Sequence, residues 1–183
     1  MTVTRKVRPA PDVPVPTREL VTLEGVTINV IGIGNEIMAD DAVGLAILRE
    51  LEAEPVPGVN FIYGGTSGME ILPMVQDADY LLVLDGLKQG QPGDVEVLIG
   101  DQIPRLLQQQ LSPHQVGLLD LLSAARLTGQ EPANVAVVGI TARDVEFRTS
   151  LSDEIKAAIP EAVQRARQLL EQWTSDATQH QPK

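Results

Sequence analysis

The residues whose chemistry stands out are few. Two adjacent aspartates, Asp40 and Asp41, lie in the glycine-rich run "GIGNEIMADDAVG" (32–44). Asp85 ends the otherwise apolar "YLLVLD" (80–85), and His114 lies in "SPHQVGLLDLL" (112–122). Two carboxylates and a neutral imidazole make an oxygen, oxygen, nitrogen set that suits a first-row divalent ion with open positions. The glycine-rich run also raises phosphate binding. A dinucleotide loop needs G-x-G-x-x-G between a strand and a helix, but Ile37 stands where the third glycine belongs. The second strand ends in Tyr63, Gly64 and Gly65 rather than a ribose-binding acid, and no Gly-Lys-Ser/Thr follows the loop. Asp40 and Asp41 would repel a phosphate, so a nucleotide-binding regulator is the weaker reading.

Each candidate also has a structural role to weigh. An aspartate at a helix start can accept a backbone N–H and oppose the helix dipole, worth roughly 0.5–2 kcal/mol. One aspartate suffices for that, so the other must point elsewhere. Asp85 alone could brace a turn. Around His114, Ser112 fits an N-cap, Pro113 the first helical position, and Gln115 closes a capping box. That pattern places His114 in a first helical turn, where the dipole keeps the ring neutral and free to bind a metal. His180, the second histidine, falls in a polar tail. Neither H-E-x-x-H nor a G-x-S-x-G elbow occurs.

The elements that must position these residues alternate. "TINVIGI" (27–33), "VNFIYG" (59–64), "YLLVLD" (80–85), "VEVLIG" (95–100) and "NVAVVGI" (134–140) read as mostly buried strands. Apolar spacing predicts helices over about 41–53, a short one through Met69, Leu72 and Met74 or Val75, one over about 113–127, and a long one from Ile155 to Trp173. The expected fold is a single α/β domain: a twisted, mainly parallel sheet of about five strands with helices on both faces. "VEVLIG" follows the turn "KQGQPGD" without room for a crossover helix, so it should run antiparallel to its neighbour. Sites in such sheets form beyond the carboxyl ends of the strands. Asp41 and Asp85 both belong to that edge.

Composition narrows the function. The chain has 183 residues, 43% of them hydrophobic, which fits one domain with a sizeable core. It has no cysteine, which removes disulfides, thiolate metal sites and a thiol nucleophile, and accords with a cytoplasmic location. A net charge of -11 argues against nucleic acid, and no apolar run reaches the roughly 20 residues of a membrane span. Residues 1–25 read as a proline-rich extension, 26–173 as the folded domain and 174–183 as a polar tail. In "GGTSGME", Ser67 and Glu70 fit a capping box, while Gly64 and Gly65 let the strand turn. The same lip, with Thr66, Gly64 and Gly65, is a candidate substrate contact.

Four motifs in order, "GIGNEIMADDAVG" (32–44), "GGTSGMEIL" (64–72), "LLVLDGLKQGQPGD" (81–94) and "SPHQVGLLDLLSAARLTGQEP" (112–132), resemble the [NiFe]-hydrogenase maturation proteases across about 27–172. The resemblance implies an endopeptidase that removes a C-terminal extension from a hydrogenase large-subunit precursor after nickel insertion. It implies that Asp41, Asp85 and His114 are its metal ligands and catalytic centre. It implies that nickel arrives with the substrate, with no organic cofactor. Members of this family are often classed as aspartic-type peptidases. A nickel-binding chaperone that grips the metal without cutting needs the same three ligands and stays open here.

Overall fold

The computed structural model describes residues 19–103, 117–143 and 145–179. Five strands, β1 (Ile28–Ile33), β2 (Val59–Gly65), β3 (Tyr80–Leu87), β4 (Val95–Ile99) and β5 (Asn134–Thr141), form one sheet in the order β2-β1-β3-β5-β4. The first four in that order run parallel, and β4 is antiparallel to β5. β4 is thus antiparallel as expected, but its partner is β5 rather than the preceding strand. The turn after β3 carries the chain past β5, and Thr141 fixes it: its hydroxyl donates to Gln89 O at 2.6 Å and its N–H to Asp94 O at 2.9 Å.

Among the described residues, four helices of five or more residues cover the sheet: α1 (Val43–Ala53), α2 (Leu72–Gln76), α3 (Leu118–Leu127) and α4 (Asp153–Gln179). Alternate strand residues point to opposite faces. Val30, Leu82, Leu84, Val138 and Ile140 join α1 and α4 in one apolar cluster. Ile31, Leu81, Val83 and Val137 join α2 and α3 in the other. Asn29 and Asn60 are buried polar residues within the sheet. The Asn29 amide donates to Met74 O at 2.8 Å, and its oxygen accepts from the Asn60 amide across β1 and β2 at 3.0 Å. Paired in this way, neither group suffers the cost of an unmet buried amide.

Several local expectations are corrected. The helix placed at 41–53 starts at Val43, after a 3-10 turn over Ala39–Ala42. The helix placed at 113–127 starts at Leu118, because Gly117 is extended (φ -87°, ψ 171°) and serves as its N-cap. The Gly117 N–H donates to the Asp120 carboxylate at 3.0 Å, which does locally what the Ser112 box was expected to do. Residues 112–116 themselves lie outside the described residues. The Ser67–Glu70 box does not form: Gly68 is the N-cap of the 3-10 turn Met69–Ile71, and the Ser67 N–H closes a turn on Gly64 O at 2.9 Å.

The boundaries also move outward. Val21 exchanges hydrogen bonds with the Asn60 side chain at 2.7 and 2.9 Å, so residues inside the 1–25 extension already belong to the packed unit. α4 continues six residues beyond Trp173, since Ala177 extends the buried row of Ala166, Leu170 and Trp173. Polar neighbours hid that single small apolar residue from a composition-based reading.

Candidate active site

The site is assembled where β1 and β3 end. After Ile33 the chain enters the loop holding Asp41, and two glycines let it close. Gly34 has φ +146°, and a Cβ there would overlap the Asp41 carbonyl. Gly44 has no such φ, but a Cβ on it would overlap the carbonyl oxygens of both Ile33 and Leu84. The bare backbone of α1 therefore rests directly on the ends of β1 and β3. This contact brings the Asp41 turn over β3: a Cβ on Gly86 would meet Asp40 O at 3.4 Å and Asp41 Cα at 4.0 Å.

Four of the loop N–H groups, those of Gly34, Asn35, Ile37 and Met38, already have acceptors. Gly34 N–H donates to Gly65 O and Asn35 N–H to Asp41 Oδ2, both at 2.9 Å. Ile37 N–H reaches Asn35 Oδ1 at 3.2 Å, and Met38 N–H reaches Asn35 O at 3.1 Å. A phosphate cradle needs these donors free. The loop's own Asp41 carboxylate occupies the Asn35 N–H, which removes the nucleotide reading on geometry as well as on charge.

Neither aspartate caps a helix. The 3-10 turn and α1 both lack a side-chain cap. Asp41, half-buried, accepts from Asn35 within the loop. Asp40 is fully buried and accepts from Arg143 N–H (3.0 Å), Ser152 N–H (2.7 Å) and Ser152 Oγ–H (2.8 Å). Sequence reasoning missed Arg143 and Ser152. The only trace was the aspartate doublet, which showed that a second carboxylate needed a partner without saying where.

Asp85 accepts from the Gly86 N–H at 2.8 Å. Burial pushes its carboxyl up, to about 7; the Gly86 bond opposes this, the Asp41 charge adds to it, and Lys88 opposes it. Asp85 keeps part of its surface at the open rim, so water trims the shift without reversing it. The two carboxylates thus lie within electrostatic reach of each other. His114 lies outside the described residues, and among those residues no three acids or histidines gather as a metal site. Of the lip, Gly64 is the extra residue of a bulge, since Gly32 pairs with Tyr63 and Ile33 with Gly65. Gly64 and Gly65 are buried, and Thr66 is exposed beside them.

A family model described as HycI, hydrogenase maturation protease, matches residues 45–169. The chain belongs to the hydrogenase maturation protease family. Hydrogenase 2 maturation protease of Escherichia coli is 34% identical over 142 residues, covering 75% of this chain and 87% of that protein. The hydrogenase expression/formation protein HoxM of Cupriavidus necator is 33% identical, covering 78% and 73%. The solved structure of the E. coli hydrogenase maturating endopeptidase HybD superposes with a TM-score of 0.75 at 33% identity, covering 80% and 93%. As a hydrogenase maturation protease the chain is an endopeptidase. The family match includes Asp85 and His114, while Asp41 lies four residues before it. None of the described helices is long and apolar enough to cross a membrane.

Proposed function

We propose that this endopeptidase removes the C-terminal extension of a [NiFe]-hydrogenase large-subunit precursor after nickel insertion, and that it senses the precursor's nickel through Asp41, Asp85 and His114. The observation that supports the reading is the Asp41 turn lying over the Asp85–Gly86 corner at the carboxyl ends of β1 and β3, where a Cβ on Gly86 would come within 4.0 Å of Asp41 Cα; the Asp41 charge there adds to the upward push on the Asp85 carboxyl. Two carboxylates so placed gain from a shared cation. Hard oxygen donors with one imidazole suit nickel or a similar first-row ion. Nickel is here part of the substrate, and a divalent ion at a scissile bond can polarise the carbonyl or acidify a bound water. The exposed side chains of Ile37 in the loop after β1, Tyr63 near the end of β2 and Met69 in the turn that follows offer apolar contact to an incoming chain.

The test is cleavage of purified precursor with and without nickel, read by intact mass. The nickel-loaded form is expected to be shortened and the nickel-free form left whole. Equal trimming of both would remove nickel sensing from the proposal, and nickel-dependent binding without trimming would favour the chaperone. In the same assay His114→Ala should leave loaded precursor uncut while melting within about 2 °C of the parent, a change of under about 1 kcal/mol.

A further inference from the structure

We propose that Asp40 and Ser152 form a latch by which the segment between β5 and α4 holds Asp41 in its working position. Asp40 is a positioning residue here, and the inference rests on Asp41 being a working carboxylate of the protease.

The latch is built from long-range bonds. A buried carboxylate is tolerated only when its oxygens are well bonded. Asp40 meets that need with donors 103 and 112 residues further along the chain, none of them in its own turn. The main chain repeats the connection. Ala39 N–H donates to Arg148 O at 2.6 Å, and Arg148 N–H donates to Ile37 O at 3.1 Å. Arg148 also reaches Ser152 Oγ with its guanidinium at 3.3 Å. The segment is itself tied to α4, because Arg143 bonds Glu154 at 2.8 Å.

The result at the turn is a constrained backbone. Ala39 is buried with φ +45°, a left-handed conformation that alanine adopts only where its surroundings impose it. Successive side chains in a 3-10 turn point about 120° apart. With Asp40 drawn to Ser152, Asp41 is left facing Asn35 and the Asp85–Gly86 corner. If Asp40 were released, the turn could rotate, and Asp41 would lose both its Asn35 bond and its place over β3.

The test uses Ser152→Ala, which removes the Ser152 hydroxyl bond to Asp40, and Ser152→Thr, which keeps the hydroxyl. Exchange of the Asn35 amide with deuterium, followed by NMR in the full chain, reports on Asp41 directly, because Asp41 Oδ2 accepts that N–H. Ser152→Ala should speed Asn35 exchange about tenfold and leave the Val83 and Val137 amides in β3 and β5 unchanged. It should also lower kcat on loaded precursor about tenfold with KM within twofold, and Ser152→Thr should restore both readings. Unchanged Asn35 exchange, or equal acceleration at Asn35, Val83 and Val137, would overturn the latch, the second because it marks general loosening. If the parent chain does not cut the precursor, the protease reading fails, and the Asn35 measurement still decides the latch.

Discussion

Asp85→Asn is expected to abolish cutting of the nickel-loaded precursor and to raise the melting temperature at pH 8. Asparagine keeps the shape of the side chain and an oxygen for the Gly86 N–H, so the corner of β3 retains its bond. It cannot supply an anionic ligand. A metal-centred charge interaction is worth several kcal/mol in a transition state, so the loss of rate should be about a thousandfold. The stability gain follows from the raised pKa. Asp85 moves from an ordinary 3.8 to about 7 in the folded chain, mainly through burial. The folded state keeps this proton at pH values where the unfolded chain has released it. The stabilising contribution is therefore complete below about pH 4 and is lost as pH rises through about 7.

Asparagine never pays that ionisation cost. Its advantage over the parent should be near zero at pH 4, grow with pH and level off above pH 7. Three units would be about 4 kcal/mol, and partial exposure cuts this to about 2 kcal/mol. Paired thermal melts at pH 4, 6 and 8 check the sign. A variant less stable than the parent at pH 8 would mean that ionised Asp85 stabilises the fold, and the strained acid pair would be the wrong description. Active Asp85→Asn would remove Asp85 from the proposed ligand set.

Gly44→Ala should be the more damaging change to the fold, although a methyl group is small and alanine favours helices. In an isolated helix the substitution would gain roughly 1 kcal/mol. Here the new Cβ overlaps two carbonyl oxygens, those of Ile33 and Leu84, and neither belongs to a flexible side chain. Relief requires α1 to lift from the ends of β1 and β3, which disrupts the packing of Val43, Ile47 and Leu51 beneath it. Overpacking of this kind costs about 3 kcal/mol net, a fall of about 10 °C for a domain of this size. The shift starts three residues from Asp41, so processing should fall further than stability, and cooling should not restore it. Wild-type melting would contradict the close backbone contact. Full activity in a destabilised variant would show that α1 does not position Asp41.

The strands were legible because buried parallel strands are written as runs of Val, Ile and Leu. "YLLVLD" and "NVAVVGI" became β3 and β5 almost residue for residue. Helix starts were less so. Ser67 with Glu70 has the spacing of a capping box that the chain does not form, since the backbone of Gly64 and Gly68 meets the need first. The antiparallel run of β4 could be argued from loop length, but not its place beside β5, because pairing depends on where the chain travels after the turn. For the site, the types and edge positions of Asp41 and Asp85 were readable from the strands they follow.

Sequence by itself determined the alternation of elements, the acid-rich edge beyond β1 and β3, and membership of a protease family, since each is written in local pattern or ordered motifs. Only the tertiary structure separated the two adjacent aspartates. Asp40 turns inward to Arg143 and Ser152, and Asp41 turns toward Asn35 and the Asp85 corner. Two identical side chains side by side carry no local mark of their fates. The difference comes from bonds to residues more than a hundred positions away, and those partners exist only once the sheet has brought the segments after β1 and β5 together across the end of β3.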